Sequence, residues 1–470
     1  MFSRPTCHTN ATTYTARVST SCRHVTVVIA LAVAAGCGSV RGTDGPDGGD
    51  DTGSDGPPPS TTLVTLTVLS TSFDGMPDTG AIAVFADPSA TSIADGLVDG
   101  AGHAQADMPD GGTVTVIRVN DQSATERDVA MTTITGVKPG DKLVVGETVS
   151  PRAFTGTPAT MTVSFTPFGA SYSHMFYTGC GGTGGSSGTA TLFLYDACHG
   201  AAFDVVAVAT SSSDPPDVRY VHVPNVTFAA NGSVTVPNTW SESDSFTATL
   251  ANVPVNLSNI VLTHSSFLGE SPAMPGTAAI DSPTPGVVSM TAPYLVGLGT
   301  RSQIDIALHD VNASGFQQFS ARVANNAGTQ GLDLSQEPLP WIVGAPTETA
   351  TSIAWDQLDT GTPDLRLVTW SGHWTVGART DFINWTIEDG AATTSVTLPG
   401  LPAKYSEFDP AQATGVVLGH GGVEYIDYDR LQGYDDARNF GPNLSDVLDD
   451  LGVFVDMPVQ RRTSRNALTL

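Results

Sequence analysis

From Ser60 onward, apolar and polar residues alternate in short runs separated by Gly, Pro, Asp or Asn. Alternation with period two sends successive side chains to opposite faces of an extended chain, so the pattern predicts half-buried antiparallel strands rather than helices. The clearest early runs are LVTLTVLS from Leu63, AIAVFA from Ala81, TVTVIRVN from Thr113 and KLVVGE from Lys142, with Asp110-Gly111-Gly112 supplying a turn. A second group holds TMTVSF from Thr160, SYSHMFY from Ser171, TATLFLY from Thr189, DVVAVAT from Asp204 and VRYVHV from Val218. The expected fold class is therefore mainly β, as tandem antiparallel β-sandwich domains. Thr133–Val137, Thr249–Val253 and Thr397–Leu401 are similar and each closes an alternating block, which sets expected domains at 61–150, 158–266 and 267–470. One short helix is expected over Asn443–Gly452, acidic near its start and stopped by Gly452.

The pattern differs before Ser60. Val25–Ala35 is an apolar segment, interrupted only by Thr26, preceded by Arg4, Arg17 and Arg23 with no acid among them. It is shorter than the roughly 20 residues a spanning helix needs and has the layout of a signal peptide, expected over 1–36. Its end, Ala34-Ala35-Gly36-Cys37, resembles the lipobox of bacterial lipoproteins, with Ala34 standing where Leu is usual. The resemblance implies cleavage before Cys37 and lipidation of its thiol, hence a membrane partner through the lipid anchor. Gly38 in place of Asp leans the expected location toward the outer membrane or cell surface. Residues 37–60 follow as a lipidated Cys and a disordered acidic linker, rich in Gly and Asp and nearly free of apolar side chains.

Charge narrows the partners. The 470 residues carry 20 Lys and Arg against 47 Asp and Glu, a net charge of −27, and loss of the leader makes the balance more acidic still. Phosphate recognition needs clustered cations, so nucleic acid is not an expected partner. Cysteine usage adds a constraint. Cys7 and Cys22 leave with the leader and Cys37 is claimed by lipid, so Cys180 and Cys198 remain as an isolated pair in an exported chain, which favours a disulfide.

Within the first unit, Pro77-Asp78-Thr79-Gly80-Ala81-Ile82-Ala83-Val84, Asp99-Gly100-Ala101-Gly102-His103-Ala104 and Met108-Pro109-Asp110-Gly111-Gly112-Thr113-Val114-Thr115-Val116 resemble the carboxypeptidase-regulatory, transthyretin-like family. That resemblance implies a small seven-stranded sandwich with an accessory, noncatalytic role.

Candidate chemistry is sparse. Gly179–Gly184 spells GxGxxG and Gly184–Gly188 spells GxSxG, but no helix is expected after either, as dinucleotide sites and nucleophile elbows require. His420-Gly421-Gly422 lacks a partner elbow for the same reason. The histidines past the leader occur singly, without zinc-ligand spacing. Ile353 with Trp355, and Ile383 and Ile387 with Trp385, mark core faces. Trp370-Ser371-Gly372-His373-Trp374 places two rings around an expected flexible turn, making Trp370 and Trp374 candidates for stacking on a glycan or protein ligand. Glu424, Asp427, Asp429, Asp435 and Asp436 crowd one expected loop and form a candidate Ca2+ site. The leading functional expectation is a membrane-anchored, noncatalytic binding or structural module. Its alternative is a secreted hydrolase with its site in the C-terminal β domain.

Overall fold

A computed structural model describes residues 62–440 and 460–465, apart from 71–75, 147–157 and loop segments of at most four residues. The leader, Cys37, the acidic linker and the helix expected over 443–452 lie outside the described residues. The chain is mainly β, and its antiparallel sheets pair face to face as tandem sandwiches.

The first sandwich contains β1 (Leu63–Val68), β2 (Ile82–Ala86), β3 (Ser92–Leu97), β4 (His103–Asp107), β5 (Gly112–Asp121), β6 (Glu126–Val137) and β7 (Lys142–Val145). One sheet has the order β4-β1-β7, with β1 and β7 parallel, and the other runs β3-β2-β5-β6. Alternate residues Val64, Leu66 and Val68 of β1 meet Phe85, Val114 and Val116 between the sheets. The turn Asp99–His103 is fixed by the Asp99 carboxylate. It accepts the N–H groups of His103 and Ala101, which hold its pKa below the usual carboxylate range. Gly102 in that turn has φ +76°, and a Cβ there would collide with the Val68 carbonyl, so both conformation and space demand glycine.

The second sandwich holds β8 (Ala159–Ser164), β9 (Tyr172–Thr178), β10 (Gly181–Gly185), β11 (Thr189–Leu194), β12 (Ala202–Ser211), β13 (Val218–Thr227), β14 (Ser233–Thr235) and β15 (Ser241–Glu242). The third holds β16 (Asp244–Val253), β17 (Leu257–Leu268), β18 (Ser271–Ala273), β19 (Thr277–Asp281), β20 (Gly286–Tyr294), β21 (Arg301–Asp310), β22 (Phe316–Ala324) and β23 (Thr329–Asp333). Both repeat the strand plan of the first. In each, the opening strand lies between an antiparallel fourth strand and a parallel seventh, as β11-β8-β14 and β20-β16-β23. The facing sheets repeat the order three-two-five-six, with β18 and β19 sharing the third place.

The fourth sandwich holds β24 (Trp341–Glu348), β25 (Ser352–Leu358), β26 (Leu365–Val376), β27 (Arg379–Asp389), β28 (Ser395–Thr397), β29 (Val417–Leu418), β30 (Gly422–Tyr428) and β31 (Gln460–Arg465), with helix α1 (Tyr434–Arg438) after β30. Its larger sheet keeps the plan as β27-β26-β30-β31. In its smaller sheet the place of the parallel seventh strand is taken by β24, which precedes β25 and pairs with it antiparallel.

The expected division at 266 therefore falls inside β17, and the expected 267–470 domain spans most of one sandwich and all of another. Alternation reveals strands but not their partners, and β15 and β16 are separated by Ser243 alone, with no linker-like composition to mark the change. The three similar segments occupy the sixth strand of one sandwich, the first of another and the end of the fourth strand in a third, so they do not mark equivalent positions.

Edge pairing joins the sandwiches. β27 pairs in parallel with β6 from Thr380 opposite Glu126 to Glu388 opposite Ile134. At the other side β31 lies between β30 and β22, so one fourteen-stranded sheet runs through the third, fourth and first sandwiches. Val206 and Val208 of the second sandwich pack with Leu268, Leu295 and Leu298.

The β6–β27 seam is pinned at both ends. Arg127 meets Asp381 in a two-pronged ion pair at 3.0 and 2.6 Å, with both residues buried. Its guanidinium also bonds Glu407 and sits 4.7 Å above the Phe408 ring. At the far end, the Tyr434 hydroxyl donates to the carbonyls of Thr135 and Glu388, and Arg438 pairs with Asp141 at 2.7 Å.

In the third core His264 lies between the rings of Phe246 and Tyr294, at 4.6 and 4.8 Å, and burial pushes its pKa down to about 4.

Two outcomes follow. Asp381→Ala leaves Arg127 buried without its main partner and should cost about 3–5 kcal/mol in denaturant unfolding; an unchanged midpoint would show that the seam does not depend on this pair. Below pH 6.5 the unfolded chain protonates at His264 while the folded chain does not, so stability should fall by about 3 kcal/mol as pH drops toward 4. His264→Phe should flatten that part of the pH–midpoint curve, and a curve as steep as wild type would contradict the assignment.

Candidate functional site

Cys180 and Cys198 form a disulfide, with Cα atoms 6.2 Å apart and both side chains in the second core. The glycine-rich stretch after Cys180 is not an open loop. Residues 181–185 form strand β10, in register with β9, and a second strand follows the turn. The GxGxxG and GxSxG spellings therefore lie on sheet structure with no helix after them.

Trp370 and Trp374 are corrected outright. Their exposures are 0% and 3%, and the Trp370 indole donates to the Thr349 carbonyl at 2.9 Å. No turn separates them. Residues 365–376 form one continuous strand, so residues 370, 372 and 374 share its inner face and both rings pack with Trp355 and Trp385 in the core. Two buried rings cannot stack on a ligand.

The acidic candidates also disperse. Glu424 and Asp427 belong to β30, with Asp429 just beyond it, whereas Asp435 and Asp436 lie on α1. Glu424 is opposite Arg465, and Asp427 opposite Arg462, in the pairing of β30 with β31. Asp435 pairs with Lys138 and Arg438; the Lys138 contact is the largest influence holding its pKa below the usual range. Asp436 accepts the Gln432 N–H. Among the described residues, no group of three or more His, Cys, Asp or Glu side chains gathers as a metal ion would require.

What the Trp370–Trp374 segment does present is its other face. His373 projects outward between the two tryptophans, and a groove of about 430 Å3 lies over it. Its lining comes from β6, β26 and β27, together with Gly419 before β30. Register places Asp128, Phe382 and His373 in one row across the three strands. Ala130, Asn384 and Ser371 form the next row. Phe382 is 42% exposed, and its ring lies 5.3 Å from the His373 ring at an interplanar angle of 33°. The Ser371 hydroxyl bonds both backbone groups of His420, which holds the rim of the groove in place and commits that oxygen to structure. Glu348 anchors the same rim by accepting the Gly421 N–H, while burial pushes its carboxyl pKa up. The arrangement offers an exposed aromatic surface flanked by a carboxylate and an amide, on a sheet rather than on a loop.

Sequence reasoning named Trp370 and Trp374 and missed Asp128, Phe382 and Asn384. The available signal was phase: Phe382 and Asn384 alternate with the core residues Ile383 and Trp385, which puts an aromatic ring on the solvent face.

No protein-family model matches the chain, and no curated protein matches it. Among solved structures, the Bacillus anthracis TIE protein is similar at a TM-score of 0.14 and 12% identity, over 58% of this chain and 49% of that one. The chain thus spans about half the length of the TIE protein. A candidate adhesin from Bacteroides ovatus has a TM-score of 0.12 and 9% identity, over 53% of this chain and 72% of its own. The native conformation of E. coli alpha-2-macroglobulin has a TM-score of 0.12 and 8% identity, over 75% of this chain and 26% of its own. Likenesses at such scores carry no argument about this chain.

Because Trp370 is core, Trp370→Ala should lower stability by about 3–5 kcal/mol, measured by denaturant unfolding. A variant as stable as wild type would return the ring to the surface.

Proposed function

We propose that this chain is an exported, lipid-anchored and noncatalytic binding module that displays the groove around Phe382 at the outer membrane or cell surface. The observation that carries the binding reading is the groove itself. Phe382, Asp128, Asn384 and His373 face outward together, and among the described residues no side-chain hydrogen bond or ion pair occupies the last three. Mounting them on paired strands fixes their spacing before a ligand arrives, which lowers the ordering cost of binding.

Two features support the exported, anchored part. The apolar leader ends on a lipobox-like Ala34-Ala35-Gly36-Cys37, and the Cys180–Cys198 disulfide suits an oxidising compartment. Acylation of Cys37 supplies firm attachment, since two acyl chains give stable membrane binding. By composition, the Gly- and Asp-rich residues 38–60 would serve as a spacer after the anchor.

Cys37→Ser should move the protein from the membrane fraction to the soluble fraction, and retention in the membrane would refute the anchor. The soluble Cys37→Ser chain, passed over immobilised cell-surface material, should be retained. Adding Ala130→Trp fills the groove from the middle of β6 and should abolish that retention; equal retention would refute the groove as the binding surface.

A further inference from the structure

Resting on the reading of the groove as a binding surface, we propose that its occupant is a neutral saccharide, with one sugar ring laid on Phe382 and its hydroxyls on Asp128 and Asn384. Neighbouring strands lie about 5 Å apart and successive outward residues about 7 Å apart along a strand. The two rows therefore form a small grid, with the Phe382 ring at the centre of one row and the Asn384 amide at the centre of the next. Asp128 flanks the ring as a pure acceptor, and Asn384 offers both donors and an acceptor. A sugar presents the complementary set: a flat apolar C–H face for the ring and hydroxyl groups radiating from its edge. Ala130 and Ser371 are short, so the second row is a depression into which a substituent can descend, bounded by the Gly419 rim.

Other occupants fit less well. A peptide adding as a strand needs unpaired backbone groups at a sheet edge, but β6, β27 and β26 are paired with one another beneath the groove. Anionic ligands would meet the Asp128 carboxylate on a chain whose net charge is −27. A bare metal ion would find one carboxylate among the lining residues. A neutral polyhydroxylated ring uses the aromatic surface, the acceptor and the amide at once.

The test uses the full Cys37→Ser chain on an array of neutral hexose and N-acetylhexosamine oligosaccharides, with sialylated and uronate-containing chains for contrast. Calorimetry then measures affinity for the strongest neutral binder. At least one neutral chain should bind. Phe382→Ala should weaken it about tenfold or more, and Asp128→Asn severalfold, as expected for loss of a stacking or hydrogen-bonding partner. Both side chains are exposed, so the thermal midpoints of the two variants should match wild type and separate ligand loss from misfolding. Absence of any neutral binder, preference for the acidic chains, or undiminished binding by Phe382→Ala would each overturn the saccharide assignment. The Ala130→Trp experiment separates the two levels: loss of retention without glycan binding keeps the groove and removes the sugar, whereas intact retention removes the groove itself.

Discussion

The parallel pairing of β6 with β27, locked by the buried Arg127–Asp381 ion pair, is the constraint on which the rest of the structure depends. A sandwich leaves edge strands whose backbone groups need partners, and here two such edges satisfy each other. The pairing also covers the outer face of the first sandwich. Val84, Ile117, Val129 and Met131 belong to the same core as the tryptophans of the fourth sandwich rather than to their own interior. Burying two charges is costly, and their attraction offsets that cost only with good geometry. The two-pronged contact, the Glu407 bond and the Phe408 ring supply such geometry. A slip of the strands by one residue would reverse the faces and bury Arg127 without its partner, so the pair selects the register as well as the neighbour.

The groove is a product of the same seam. Asp128 comes from the first sandwich and Phe382 from the fourth, and only their register brings them into one row. Three sandwiches follow a single strand plan, whereas the fourth departs from it in its smaller sheet, where β24 replaces the parallel strand. The site is built where that variant meets the first copy of the plan.

Sequence carried the fold class because half-buried strands impose period two, and runs such as Leu63–Val68 and Thr189–Leu194 show it in their burial. The disulfide was legible by elimination among five cysteines. Trp370 and Trp374 were misplaced because Ser371-Gly372-His373 has the composition of a turn. The period-two rule, applied without exception there, puts both rings on one face. The acidic residues looked like one loop because sequence proximity hides that β30 and α1 aim them in different directions and give Asp435 the basic partners Lys138 and Arg438. The groove could not be found locally. Its parts lie on strands far apart in the chain, and nothing in a single sequence states which edges pair.

Arg127 and Asp381 are 254 positions apart, and this has a consequence for biogenesis. A chain that emerges from its amino terminus completes β6 long before β27 exists, so the first sandwich must wait with an open edge and an apolar outer face. Closing so distant a contact is slow, because loop entropy is lost before the contact repays it. The interval is one in which another nascent copy could occupy the edge instead. Until β27 arrives, the β6 edge is the place where an unfinished copy is most exposed to pairing with the wrong strand.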